Sequence, residues 1–422
     1  MSNTVATLDG NFKIVYGDGP VNVIPEVAIL QKEIKFQKSE KIGKSYNFPV
    51  ILSQEAGVTY LAAGAGISTL NDSIAAVLKE AVVDAHQIIV RGVMDYEAAA
   101  KAAVSAAAFK NSSELLVENL METASKRLEI AFLYGRSATG LGASGATANV
   151  STTTSNVTVT LATWAPGIWS GVEGAVINFF KIADNLIVSS AADALFTITS
   201  VNHATRVILV TGTTTGITAL DAVGAGGVYM HWRGARVAEP IGIDAIVANT
   251  GTLFGISAAT YSLWSGTTVS AGSAALTVAK ILNAVEAGVS KGGLMEEAAV
   301  LVSPRTFMNL SGTMTDLRRQ NGGQKETAGI GGFESIQLLG PNGKLNIVVH
   351  PYLKVGEAFV VPFKRFKRIG SQEFSFETPG RSGEIFLHRP DSNAYELRLY
   401  GAQAIVCTAP AKCVKINLIV NT

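Results

Sequence analysis

Leu116, Leu120, Ala124, Leu128 and Phe132 recur every four residues, with Val117, Met121 and Ala131 beside them. Glu118, Glu122, Lys126 and Glu129 fall largely elsewhere on the same helical wheel. That spacing predicts one amphipathic helix over 113–134. Ser112 and Ser113 are good N-caps, Glu114 complements the helix dipole, and Gly135 ends the run. A helix of about 22 residues is a rod of roughly 33 Å. Directly after it the sequence changes character, so the rod divides the chain.

A chain of 422 residues is too long for one core and reads as two or three domains. Hydrophobic residues make up 48% and charged residues only 16%, below the roughly 25% charge of ordinary soluble domains. Mean hydropathy is +0.30. A surplus of that kind is buried either in a membrane or between subunits. No stretch of about 18 apolar residues runs uncharged; the most apolar window, 73–90, holds Lys79, Glu80, Asp84 and His86. The opening MSNTVATLDGNFKIVYGDG lacks the regions of a signal peptide. The expectation is a protein made in the cytosol that hides apolar surface by assembling. Lys plus Arg total 34 against 33 acids, so bulk positive charge does not recruit a duplex. Near-neutrality removes one barrier to self-association. Two cysteines, Cys407 and Cys413, do not make a disulfide framework.

Residues 1–28 carry Gly17, Gly19, Pro20 and Pro25 without helical period and read as an extended arm. In 29–60, alternation at Ile34 and Phe36 and again at Phe48, Val50 and Leu52 brackets a charged turn at 39–44, which predicts a long hairpin. Lys32, Lys35, Lys38, Lys41 and Lys44 make it basic, and these are candidate intersubunit contacts. From Asn71 the composition suggests a short helix, followed by a strand near 86–93. After the long helix, 137–156 reads as a small-residue linker. Alternation then appears at Val157 and Val159, Phe196 and Ile198, Val207 and Leu209, and Val228, Met230 and Trp232. We assign 139–236 to an inserted β-barrel or sandwich. The remainder, 237–422, is mixed: a helix at 276–289, a buried strand at 299–302, a short helix at 304–310, and strands at 345–349, 358–361 and through 395–420. Between Asn321 and Gly332 five of twelve residues are glycine, so a mobile loop is expected.

Chemistry is hard to find in this chain. The five histidines at 86, 203, 231, 350 and 388 show no metal-ligand spacing. Gly140, Gly142 and Gly145 form a GxGxxG pattern but follow a helix and enter the small-residue stretch, the wrong context for a dinucleotide site. Gly43-Lys44-Ser45 lacks the first glycine of a phosphate loop. No GxSxG elbow occurs, and Cys407 sits in an apolar run as a small core residue. The basic patch Lys364, Arg365, Lys367 and Arg368 is a solvated edge, an intersubunit ion-pair patch or a nucleic-acid contact. The reading is a non-enzymatic chain with no cofactor.

The order of parts resembles the tailed-bacteriophage major capsid protein, whose fold is shared with encapsulins and the herpesvirus capsid floor. The segment Ile241-Gly242-Ile243 through Asn249-Thr250-Gly251-Thr252 and Trp264 is similar to the start of that family's axial domain. So are 276–289 with Ala299-Val300-Leu301-Val302-Ser303-Pro304 to the helix and strand that follow, and His350-Pro351 through Val361 to the next strand pair. The resemblance implies an α+β capsid fold. Its parts are an N-terminal arm at 1–28, an extended loop at 29–60 and a peripheral domain at 61–138 with its spine helix at 113–134. The inserted β-domain and an axial domain with return strands at 237–422 complete it. It implies a capsomer-centre loop within 316–333, including Arg318, Arg319, Gly322, Gly323 and Gly329. It also implies a virion component made in the bacterial host cytoplasm, self-assembling as hexamers and pentamers into an icosahedral shell around double-stranded DNA. Partners would be scaffolding, portal and decoration proteins, with DNA contacted non-specifically and no membrane. An insertion directly after the spine helix departs from the family, and no lysine–asparagine crosslinking pair is identifiable. An encapsulin-like compartment and, from another class, a phage tail or surface adhesin are the alternatives.

Overall fold

The computed structural model describes residues 28–41, 45–97, 112–190, 192–318, 336–377, 386–389 and 392–421. The arm at 1–27 and most of the expected capsomer-centre loop lie outside them. In chain order the strands are β1 (Phe36–Lys41), β2 (Tyr46–Ile51), β3 (Leu78–Val83), β4 (His86–Asp95), β5 (Gly142–Ser151), β6 (Thr154–Val159) and β7 (Val176–Lys181). Then come β8 (Phe196–Asn202), β9 (Val207–Thr211), β10 (Val228–Trp232), β11 (Thr252–Leu253), β12 (Ile256–Ser257), β13 (Thr267–Ala274) and β14 (Ala298–Val302). The last are β15 (Ile336–Gly340), β16 (Gly343–Val349), β17 (Ala358–Val361), β18 (Phe366–Ser375), β19 (Phe386–His388), β20 (Ala394–Cys407) and β21 (Val414–Ile419). Helices longer than two turns, among the described residues, are α1 (Ser112–Tyr134), α2 (Thr214–Val223), α3 (Val278–Gly292) and α4 (Pro304–Arg318).

The long helix forms as its spacing requires. Leu120, Ala124, Leu128 and Phe132 are buried, and Leu116 is half-buried. Its end is fixed by close approach: a Cβ on Gly135 would stand 2.1 Å from the Pro240 carbonyl oxygen, so only glycine fits there. The Gly242 N–H donates to the Gly135 carbonyl at 2.9 Å, which ties the helix end to the start of the following region.

The residues resolve into two compact units: one from 89–124 with 375–400, the other from 26–88, 125–374 and 401–422. In the first, β19 pairs antiparallel with the start of β20, and Glu396 takes Arg91 at 2.8 Å. Gly92 lies under Leu116 and Leu120, where a Cβ would meet Leu116 at 2.8 Å.

The second unit contains two large sheets. One runs β10-β7-β8-β9-β6-β5, all antiparallel. It closes on itself, because Gly140 bridges Met230 and the Leu141 N–H donates to the Met230 carbonyl at 2.8 Å. Val157, Val159, Ile177, Phe179, Phe196, Ile198, Ile208, Val210, Val228 and Met230 fill this barrel, with alternate residues turned outward. The other sheet runs β13-β21-β17-β14-β16-β15. Its central strand β14, Ala-Ala-Val-Leu-Val, is buried at every position, as a strand covered on both faces must be. Ile281, Ala284 and Val285 of α3 belong to the same core cluster as β14, β17 and β21, and Gly288 of the same helix is buried. The Thr277 hydroxyl caps the start of α3 and left-handed Gly293 ends it.

Four expectations are corrected. The hairpin over 29–60 does not form: β1 pairs in parallel with β18, and β2 pairs antiparallel with β3. The short helix expected from Asn71 is instead the approach to β3, since β2 offers that segment a pairing edge that outweighs local propensity. The stretch 142–156 is not a flexible linker but β5 and the start of β6. Finally, the stretch 139–236, expected as an inserted domain, does not enclose a separate core. Barrel residues fall in one apolar cluster with Phe132, Tyr134, Tyr352 and Phe359. The N–H groups of Val355 and Gly356 donate to the Trp164 and Ala162 carbonyls at 3.0 and 2.8 Å. Cys407 and Cys413 are buried and unjoined, 3.8 Å apart.

Candidate assembly surfaces and the buried charge network

The longest apolar excursion lies between β2 and β3. Their register runs from Tyr46 opposite Val83 to Ile51 opposite Leu78, and beyond it the chain continues for 52–77 with its two arms still linked. Leu52 N–H donates to the Val77 carbonyl at 2.8 Å and Ala56 N–H to Ile74 at 3.0 Å. Asn71 reaches back to Thr59 Oγ1 and to the Val58 carbonyl, each at 2.8 Å. The turn is at Ala62–Ala65, where Gly64 takes φ 82°. Leu61, Ile67, Ile74 and Leu78 are exposed, Tyr60 at 92% and Leu70 at 72%. A run of large apolar side chains left in water, rather than scattered singly, marks an interaction surface.

Of the five hairpin lysines, Lys32 lies in the one-turn helix Ile29–Glu33 and Lys35 just after it, both exposed. Lys38 and Lys41 are on β1 with side chains outside the described set, and Lys44 is outside it altogether. Arg318 ends α4, while Arg319, Gly322, Gly323 and Gly329 are outside the described residues.

The basic patch separates into different roles. Arg368 is buried, donates to Gln403 at 2.6 Å and pairs with Glu373 at 3.2 Å. Arg365 and Lys412 share Glu296 at 2.8 and 2.9 Å, and Lys367 Nζ reaches Tyr46 Oη at 3.3 Å. Among the described residues Lys364 makes an exposed 3.6 Å pair with Glu297, of the kind that contributes about 0–1 kcal/mol. Most of the patch is therefore occupied within the subunit.

Two buried charge groups went unread in the sequence. Glu129, fully buried on α1, accepts from the backbone N–H groups of Leu30 and Gln31, from Gln31 Nε2 at 3.0 Å and from His350 Nε2 at 3.1 Å. Leu30 and Gln31 open the helix Ile29–Glu33, so Glu129 is its N-cap supplied from 98 residues away. His350 Nδ1 accepts from the Tyr352 N–H at 3.3 Å, which assigns the ring proton to Nε2 and makes it the donor to Glu129.

The second group joins Asp244, Lys415, Glu357 and Lys354. Asp244 accepts from Ser137 Oγ and Lys415 Nζ, and Lys415 also meets Glu357 at 2.8 Å. Lys354 is fully buried, donates to Thr139 Oγ1 at 2.7 Å and lies 3.9 Å over the Tyr134 ring. Burial disfavours charge on Asp244, but Lys415 and Lys354, with hydrogen bonds from Lys415 and Ser137, outweigh it and hold its carboxyl below the usual aspartate value. Burial likewise opposes charge on Lys415, and Glu357 and Asp244 overcome it and hold that amine above the usual lysine range. On Lys354 burial prevails and lowers the value. No short motif announces either group, because their members are scattered from 129 to 415.

A depressed folded-state carboxyl stabilises above its unfolded pKa of about 4, and that share disappears as pH falls through the folded value. The wild-type protein should therefore lose urea resistance as the pH falls below about 4. Asp244→Asn should be less stable at pH 7 and show a flatter acid limb. Identical pH profiles for the two proteins would contradict the ion-pair assignment.

Among the described residues no group of His, Cys, Asp or Glu could hold a metal, and no helix is long and apolar enough to cross a membrane. No family model matches the sequence, and no curated protein matches it. Solved structures do match. The capsid asymmetric unit of cyanophage A-1(L) is 13% identical over 99% of both chains, with a TM-score of 0.56. The capsid of a native GTA particle is 10% identical over 100% of both chains, with a TM-score of 0.50. The chain shares the fold of these capsid subunits.

Proposed function

We propose that this chain is a major capsid protein, a structural subunit without enzymatic activity that self-assembles into the icosahedral head of a tailed phage around double-stranded DNA. The observation that carries the reading is the exposed apolar excursion 52–77 on a full-length capsid fold. A two-stranded excursion of this kind buries too little to offset its own chain entropy. Laid across a neighbour it gains apolar area, and many such contacts per subunit make a stable shell from weak links.

In this reading 46–83 is the extended loop, α1 the spine, 316–333 the capsomer-centre loop and 1–28 the arm that crosses to a neighbour. The barrel within 139–236 is an inserted domain, and 237–422 holds the axial domain together with return strands of the peripheral domain. Lys32, Lys35, Lys38, Lys41 and Lys44 meet acidic surface on the next subunit, and Lys364 is the residue of the basic patch left for such a contact. Scaffolding, portal and decoration proteins are its partners, packaged DNA touches it non-specifically, and its place is the virion after synthesis in the bacterial cytoplasm.

Negative-stain imaging of the expressed protein, alone and with a scaffold, tests this. Capsomers, closed shells or polyheads are expected. Tyr60→Ser, Ile67→Ser and Leu70→Ser together should leave the subunit folded, because none of the three is buried, and reduce shell yield at least about tenfold. A loss well under the roughly 1.4 kcal/mol that makes tenfold in a single equilibrium suffices for this, because it recurs at every copy of the contact in the shell. Normal shells from the triple variant would remove the extended loop from the assembly interface. A wild-type protein that stays monomeric under every condition would overturn the capsid reading.

A further inference from the structure

We propose that a cleft between the barrel and the start of α4 is a docking site for a partner polypeptide presenting an apolar side chain beside a carboxylate. The cleft has a volume of about 400 Å³, within the range of roughly 300–1,000 Å³ typical of ligand sites. Leu161, Trp164 and Pro166 line it on the barrel side, and Pro304, Pro351 and Val355 line it opposite. His203, Arg206 and Arg305 stand at its border, and none of its lining residues is acidic.

The charge is not already spent. Arg206 makes one long hydrogen bond, Nε to the Val159 carbonyl at 3.4 Å, and Arg305 is exposed. Neither has a carboxylate within ion-pair distance among the described residues. Pro304 is also the first residue of a fifteen-residue helix, whose dipole adds positive potential at the same place. Three lining prolines carry no N–H, so the guanidinium groups are the strong donors available to an incoming acceptor.

Charge complementarity calls for an anion, and the apolar floor calls for something attached to it. A bare inorganic anion would leave Leu161, Pro351 and Val355 uncovered. A stacked nucleobase fits poorly: Trp164 is 4% exposed, stacks on Trp169 at 7° between planes, and meets His203 edge-on at 5.8 Å. Its ring face is taken. A side-chain-sized apolar group with a neighbouring carboxylate, as an acidic–apolar peptide offers, satisfies both halves of the site. The inference stands apart from the shell reading, since it uses no residue of the 52–77 loop.

The test is saturation-transfer NMR on the full-length protein with acetyl-Glu-Phe-Glu amide as probe. Saturation of the phenylalanine ring is expected, with the acetyl-Gln-Phe-Gln amide binding at least about tenfold more weakly, the worth of one charge-assisted hydrogen bond. Arg206→Ala with Arg305→Ala should weaken the acidic probe by a similar factor at unchanged circular dichroism. Should that pair disturb the fold, Arg305→Ala alone, at an exposed and unpaired position, serves instead. Equal binding of the neutral peptide, or binding unaffected by the arginine variants, would overturn the proposal, as would no saturation at all. Equal binding of 3-phenylpropionate would reassign the site to a free small anion, and tighter binding of tetrathymidylate would reassign it to nucleic acid; either result rejects the peptide.

Discussion

Glu129→Ala is expected to lower subunit stability by about 3–5 kcal/mol, a large part of the roughly 5–15 kcal/mol that holds a domain together. The substitution deletes an acceptor and strands its donors. The N–H groups of Leu30 and Gln31 and the Nε2–H of His350 all end on this carboxylate, and with Leu30 and His350 fully buried no water replaces it easily. Glu129→Gln keeps one acceptor oxygen and should cost less, about 1–2 kcal/mol. Urea denaturation followed by tryptophan fluorescence gives the energies. Limited proteolysis under native conditions gives the location, because loss of the cap should open the chain near 28–35 before anything else. Unchanged urea midpoints together with an unchanged cleavage pattern would refute the anchoring role.

Ala124→Pro is expected to be comparably severe. Ala124 lies in the interior of α1 with no exposed surface. Proline there removes a backbone hydrogen bond and drives its ring into the preceding turn, at a cost of about 3 kcal/mol or more. Soluble yield should drop, and particles that do form should be misshapen under negative stain. Thr123→Ala, at an exposed position of the same turn, improves helix propensity and should be close to silent. Normal shells at normal yield from Ala124→Pro would mean that 112–134 is not one continuous helix in the assembled protein.

The sequence was most informative where a single periodicity decided the outcome. The four-residue recurrence from Leu116 to Phe132 located α1, and strict alternation located β6, β8, β9 and β10. Partnership was another matter. Ile34–Phe36 and Phe48–Leu52 have the look of one hairpin, yet β1 and β2 take β18 and β3, because a two-residue period reports a strand and not its neighbour. The turn between β2 and β3, at Ala62–Ala65, is built of alanine and glycine and carries none of the charge that marks 39–44. In β5 the residues are Gly, Ala, Ser, Thr, Asn and one Val, too small to give an apolar rhythm, so a strand passed for a linker. The barrel's ties to 350–356 and the buried ion pairs bring together residues as far apart as Asp244 and Lys415, a separation no local pattern encodes.

The cap on the helix Ile29–Glu33 also sets an order of events on the ribosome. Its acceptor is made 98 residues later, and the histidine that steadies that acceptor comes another 221 residues on. β1 waits longer still, since Phe36 finds its place opposite Arg368. Loop closure over such spans is slow, and contacts of high sequence separation form late. Residues 29–41 are therefore made long before the partners that fasten them, and are fastened late. Until then the edge of β18 that β1 will cover, and the carboxylate that will cap the helix Ile29–Glu33, have each to wait on a segment already made.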